Sequence, residues 1–194
     1  MICDNSEYIE VDGVCYRKNV GIIVYNCEGK VLICERNQEK IDYKWQFPQG
    51  GVDTGEKTDE TALRELFEET GIKNAKIVFK DNVWRAYKFP AVLKFSRKYH
   101  DYYKNVKGQI QKWFLVEFCG DDSEIKIPSE EFTDYKWVKL SHAITRKVVP
   151  FKKEVYKNVI KKMIPILNDI MKSKSICKKC KKIIKKKKEE SYEI

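Results

Sequence analysis

No stretch of this chain approaches the 18 or so consecutive apolar residues that a membrane-spanning helix needs, so no segment reads as transmembrane. Residues 1–13 lack a basic leader and a long apolar run, and they do not read as a secretory signal. Histidine is scarce: only His100 and His142 are present. The single Cys-x-x-Cys, Cys177 and Cys180, has no second pair, so a zinc site of about four ligands is not spelled out. The seven cysteines are odd in number, in a chain long enough to build a core. Reduced thiols and a cytosolic or nuclear setting are expected over a disulfide framework. No internal repeat is visible.

An apolar fraction of 42% with 12% aromatics is enough to bury a core, which excludes wholesale disorder. At 194 residues one main domain is expected. A net charge of +10 suggests a polyanionic partner. Residues 172–194 hold ten Lys and three Glu, so +7 sits on that tail and only +3 on the other 171 residues. The chain thus divides into a polar segment at 1–13, a domain at 14–171 and a Lys-rich tail at 172–194, expected to be disordered. The Lys run at 185–188 is compatible with nuclear targeting or nonspecific RNA binding, against the plainer reading of a solvated end.

Within the domain, residues 19–26 read as a buried strand, and the turn Asn26-Cys27-Glu28-Gly29 leads to a hairpin partner at 31–34. Residues 45–51 begin aromatic and are then broken by Pro and Gly, as a strand end entering a functional loop would be. Residues 58–70 have helical spacing and stop at Gly71, with Leu63 and Leu66 expected on the packed face. Further strands are expected at 75–79, 82–89, 112–118 and 135–140. Residues 90–107 are basic and aromatic without a clean period and read as a long connection. A helix is expected at 151–171, with a stripe of Val155, Val159, Met163 and Leu167 and with Pro165 as a candidate kink.

The sharpest feature is Arg64-Glu65-Leu66-Phe67-Glu68-Glu69-Thr70-Gly71. On a helix, Glu65 lies three residues from Glu68 and four from Glu69, which puts the three carboxylates on one face within about 6 Å at Cβ. Their mutual repulsion is relieved by a divalent cation. An all-carboxylate oxygen set suits Mg²⁺ or Mn²⁺, often shared with substrate phosphates. Arg64, four residues before Glu68, can hold that carboxylate in place. A lone acidic cluster of this kind is more often a solvated helix face. The Gly-rich turn directly before the helix shifts the reading towards a metal–phosphate centre.

From Gly50 the sequence runs five residues to Glu56, seven to Arg64-Glu65, then Leu66, any residue, Glu68-Glu69, any residue, Gly71 and Ile72. This resembles the Nudix box at all nine of its defining positions. The resemblance implies an α/β fold, the Nudix α/β/α sandwich with a mixed central sheet and a catalytic loop-helix-loop. It also implies hydrolysis of a nucleoside diphosphate linked to another moiety, with Mg²⁺ or Mn²⁺. The segments Tyr16-Arg17-Lys18-Asn19-Val20-Gly21-Ile22, Trp45-Gln46-Phe47-Pro48-Gln49-Gly50-Gly51, Tyr87-Lys88-Phe89-Pro90, residues 108–114, Glu131-Phe132 and residues 151–156 are similar, in order, to one branch of the family. That branch holds asymmetric diadenosine tetraphosphate hydrolases of plant and bacterial type, and bacterial RNA 5′-pyrophosphohydrolases. The length of the insert between Pro90 and Gly108 and the stretch at 120–125 favour the dinucleotide enzyme, with ATP and AMP as products. Phe47 favours the RNA enzyme.

By this resemblance Glu65, Glu68 and Glu69, with the Gly50 carbonyl and Glu131, are metal ligands. Glu65 and Glu131 are both candidates for the base that activates water. Arg17, Arg36 and Lys112 are cationic candidates for the phosphate chain, with a solvated cation as the plainer reading of Arg36. Tyr87 is the first choice for stacking on a base. Trp45 and Trp113 are expected in the core or a pocket wall, and Tyr99, Tyr102 and Tyr103 either form a lid or an ordinary loop. The expected partner is a dinucleoside polyphosphate or a 5′-triphosphate RNA. No membrane is expected, and the protein is expected to be a cytoplasmic monomer.

Overall fold

The computed structural model describes residues 6–37, 44–90, 106–127, 131–144 and 147–173. Nine strands, β1 (Tyr8–Val11), β2 (Val14–Tyr25), β3 (Lys30–Arg36), β4 (Trp45–Gln46), β5 (Gln49–Gly51), β6 (Ala75–Lys80), β7 (Arg85–Lys88), β8 (Gly108–Phe118) and β9 (Phe132–Lys139), form one sheet among the described residues. Among the described residues two α-helices flank it, α1 (Thr58–Thr70) and α2 (Lys153–Lys172). The main path is β4-β3-β2-β8-β6, with β1 and β5 on β2, β7 on β8 and β9 on β3. The β2–β8 pair is parallel and the other pairs are antiparallel, so the sheet is mixed.

β2 explains the layering. Successive side chains of a strand point to opposite faces. Val20, Ile22 and Val24 pack with Phe114 and Val116 against Ala62 and Leu66 of α1. Ile23 and Tyr25 pack with Trp113 and Leu115 against Val155, Val159, Met163 and Leu167 of α2. The result is an α/β/α sandwich with the sheet buried on both sides. Gly21 has a steric reason: a Cβ there would stand 2.6 Å from the Trp113 ring. Gly29 closes the β2–β3 turn at φ 72, where Asn26 Oδ1 accepts from the Glu28 and Lys30 amides.

Several boundaries differ from expectation. The N-terminal segment is not outside the domain, because β1 pairs with β2 from Tyr8↔Arg17 to Val11↔Val14. The strand expected from residue 82 starts only at Arg85; Asp81 Oδ1 accepts from the Val83 amide and turns the chain there first. Leu63 does not pack. The inward arc of α1 is Thr61, Ala62, Leu66, Glu69 and Thr70, and Leu63 and Phe67 lie one step round at 40% and 44% exposure. Cys27, Cys34 and Cys119 are not in disulfides, but Cys15 is disulfide-bonded, against the expectation of reduced thiols throughout. The 90–107 connection with Tyr99, Tyr102 and Tyr103 falls almost wholly outside the described residues, as do Cys177, Cys180 and the Lys run. Among the described residues no helix is long and apolar enough to cross a membrane.

Candidate active site

α1 ends where the sequence stops it: Gly71 adopts φ 72 and its amide donates to Phe67 O. At the other end, the turn after β5 brings Glu56 under Arg64. Arg64 Nε and Nη2 donate to the two Glu56 oxygens at 2.9 and 2.8 Å, and Nη2 also donates to Gly51 O at 3.0 Å. This fork holds the Glu56 carboxyl down to about 2, chiefly through the Arg64 hydrogen bond. The remaining nitrogen, Nη1, donates to Glu65 Oε1 at 2.9 Å and Glu68 Oε2 at 3.1 Å. Arg64 therefore joins the loop to the acidic face, as its spacing from Glu68 implies.

The three helix carboxylates differ in setting. Glu68 is the most open. Glu65 is pushed up to about 7 by burial, with Arg64 opposing and Glu68 and Glu131 adding to the rise. Glu69 is almost completely buried, and burial together with Glu131 drives its carboxyl well above the usual range. Its Oε2 accepts from the Gln49 amide at 2.9 Å. Glu131 itself is exposed, and its charge adds to the rise at both Glu65 and Glu69.

β5 closes the site from the sheet side. A Cβ at Gly50 would stand 1.7 Å from Glu65 Cδ, so the backbone at 50 and the Glu65 carboxylate occupy space that only glycine leaves open. A Cβ at Gly51 would stand 2.2 Å from Arg17 Nη2, which puts the Arg17 guanidinium against the same strand. As placed, no three His, Cys, Asp or Glu side chains among the described residues converge at ligand distance; a guanidinium nitrogen stands between Glu65 and Glu68 instead. The donor set is nonetheless that of a hard divalent cation: carboxylate oxygens, two of them held against ionisation by burial and like charge, beside a glycine backbone.

A second group lies on the α2 side and includes residues absent from the expectations. Lys152, in the short helical turn before α2, is 5% exposed. Its Nζ donates to Gln49 Oε1 at 2.8 Å and Gln46 Oε1 at 3.1 Å. Burial and the nearby Arg36 push it down to about 7, against the pull of Glu69 and Glu131. Arg36, at the end of β3, is thus within electrostatic reach of Lys152. Gln111 Nε2 donates to Asn19 Oδ1 at 2.7 Å and Gln49 Oε1 at 3.2 Å. The signal for Lys152 and Gln49 was their place in the branch-like segments at 151–156 and 45–51.

Two further candidates make contacts within the protein. Lys112 follows Gln111 on β8 and so points to the opposite face, where its Nζ lies 5.1 Å from the Trp84 ring. Tyr87 is 6% exposed, its hydroxyl donates to Gln109 Oε1, and its ring packs 5.5 Å from Phe151 and 6.2 Å from Phe89. Trp113 is core, in edge contact with Phe47 and Tyr156.

A NUDIX domain model matches residues 16–159. The chain belongs to the Nudix family. The Nudix hydrolases generally use a divalent metal such as Mg²⁺ or Mn²⁺, in keeping with this donor set. The chain is 41% identical over 157 residues to an RNA pyrophosphohydrolase of Bartonella henselae, covering 75% of this chain and 88% of that protein. It is 36% identical over 154 residues to an RNA pyrophosphohydrolase of Caulobacter vibrioides, covering 78% and 87%. Among solved structures it resembles a MutT protein of Methanosarcina mazei Go1, with TM-score 0.54 at 20% identity over 79% of this chain and 98% of that one. It also resembles a C. elegans Ap4A hydrolase binary complex, with TM-score 0.52 at 18% identity over 76% and 98%. Both likenesses concern the fold. The preference for the dinucleotide enzyme drawn from the insert and residues 120–125 is thus not supported by these relatives, whose names match the alternative.

Proposed function

We propose that this Nudix hydrolase removes pyrophosphate from 5′-triphosphorylated RNA. The observation that supports this reading most is the 36–41% identity to RNA pyrophosphohydrolases across nearly the full length of those proteins. Glu65, Glu68 and Glu69, with the Gly50 carbonyl and Glu131, would hold Mg²⁺ or Mn²⁺. The bound ion neutralises phosphate charge and lowers the pKa of water. The chain's own residues supply the rest. Arg17 and Arg36 face the phosphate chain, and the buried Lys152 ammonium adds a third positive charge near Arg36. Glu65 or Glu131 takes the proton of the attacking water. Arg64 orients Glu65 and Glu68 through one nitrogen while its other two anchor the loop. Water adds to phosphorus, the α–β anhydride breaks, and pyrophosphate leaves an RNA 5′-monophosphate. Tyr87 and Phe151 form an aromatic wall beside Lys152, suited to a nucleobase once their rings separate. The catalytic unit runs from β1 through α2, and it works as a monomer.

Purified protein is offered a 5′-triphosphate oligoribonucleotide and diadenosine tetraphosphate, each with Mg²⁺. The larger kcat/KM is expected for the RNA. A larger value for the dinucleotide overturns the reading. Deleting residues 174–194 should leave turnover of a short oligonucleotide unchanged.

A further inference from the structure

The most buried carboxylate of the site, Glu69, is tied to the sheet by one backbone donor, Gln49 N–H. What aims that donor is not the strand pairing alone. β5 is only three residues long. Its Gln49 side chain turns to the α2 face, where Oε1 accepts from Lys152 Nζ at 2.8 Å and Gln111 Nε2 at 3.2 Å. Gln111 is fully buried and is itself held by Asn19 Oδ1 at 2.7 Å. Gln111 Oε1 has no hydrogen-bond partner. Leaving a buried acceptor unmatched costs about 1–3 kcal/mol, so this orientation of the amide is held by its two donated bonds.

We propose that Gln49 and Gln111 are positioning residues for Glu69, linked as Asn19–Gln111–Gln49–Glu69, with Lys152 as the second donor to Gln49. The chain joins the two faces of the sheet. The start of α2 acts on Gln49 Oε1, and the Gln49 amide acts on a carboxylate of α1. Phe151, next to Lys152, packs against Tyr87, so contacts made at that wall reach Glu69 through two hydrogen bonds. Partners of this kind orient metal ligands, and losing one commonly weakens metal affinity by about 10–100-fold. The proposal rests on Glu69 being a metal ligand.

The test uses the full chain with Gln111→Leu, Gln49→Met, the double variant and Glu69→Gln. Mn²⁺ affinity is read without substrate from the EPR signal of the free ion, and kcat and KM are read on the RNA substrate. Gln111→Leu and Gln49→Met are each expected to weaken Mn²⁺ binding about tenfold and to lower kcat with KM unchanged. The double variant is expected to be no worse than Gln49→Met, because Gln111 acts through Gln49. Gln49 is half-buried on a short strand, so its variant keeps the test decisive if Gln111→Leu does not fold. Wild-type Mn²⁺ affinity in Gln49→Met, or additive losses in the double variant, overturns the relay. Wild-type affinity in Glu69→Gln instead overturns the ligand reading on which it stands.

Discussion

On the α1 side of the sheet, charge is abundant and partly open to solvent. Arg64 meets Glu56, Glu65 and Glu68 through short-range ion pairs, and three of these four residues sit within five positions of one another. On the α2 side, one ammonium is buried among neutral amides: Lys152 with Gln46 and Gln49, and Gln111 with Asn19. The first region has more negative charge than it can settle, and the second has a positive charge with no carboxylate in contact among the described residues. Each charge is costly where it is. The two regions meet at β5, where Gly50 touches Glu65 and Gln49 touches both Glu69 and Lys152. A polyanion bound through a divalent cation would settle both imbalances at once, the cation against the carboxylates and the phosphates against Lys152 and Arg36.

The largest effects are expected on the acidic side. Glu68→Gln and Glu69→Gln should each lower kcat by at least about 100-fold, since even the outer partners of a metal ligand cost up to that much. Unchanged thermal unfolding would show that the fold is kept, and retained turnover would remove the metal assignment. Gly50→Ala comes next. Its methyl group would meet Glu65 Cδ at 1.7 Å, so the carboxylate must move. A kcat loss of about 10–100-fold is expected from that reorientation, with Mn²⁺ affinity falling in parallel.

The two sides were not equally legible. The acidic face could be read because helical periodicity turns sequence spacing into spatial distance, so Glu65, Glu68 and Glu69 had to share a face. The core stripe of α2, from Val155 to Leu167, was readable for the same reason. Arg64 was half readable: its contact with Glu68 follows from i to i+4, but its fork on Glu56 depends on a loop path. The amide cluster could not be derived by spacing. Asn19, Gln49 and Gln111 meet only through the β2–β8 and β2–β5 registers, and Lys152 reaches them from the turn before α2. Leu63 was misplaced because the apolar arc of α1 is narrow, with buried Thr61, Glu69 and Thr70 filling positions a hydrophobic pattern does not predict.

Lys152→Met separates the roles of the two sides. If the ammonium meets substrate phosphate, its removal should lower kcat/KM about tenfold, the worth of one charge-assisted hydrogen bond of about 1.5 kcal/mol. The same change should raise the unfolding temperature, because a buried charge without a carboxylate contact is replaced by an apolar side chain of similar length. Loss of both activity and stability would mean that the lysine holds the amide cluster together and does not serve the substrate.

The smallest expected effect is a dip in the stability of the metal-free protein near neutral pH. Glu65 has its folded value raised from 4.5 to about 7. Between those values the unfolded chain has released the proton and the folded protein still holds it, so stability falls as pH rises. Lys152 has its folded value lowered from 10.5 to about 7. Above 7 the unfolded chain holds a proton that the folded protein has lost, so stability rises with pH. The two slopes meet near pH 7, one from each side of the sheet. Thermal unfolding in chelator across pH 5 to about 9 should show the minimum. Glu65→Gln should make the falling limb shallower, with buried Glu69 carrying the remainder, and Lys152→Met should flatten the alkaline limb. Added Mg²⁺ should lift stability most at the alkaline end, where the carboxylates are ionised and can receive it. A metal-free profile without either limb would show that neither charge is held where the structure places it.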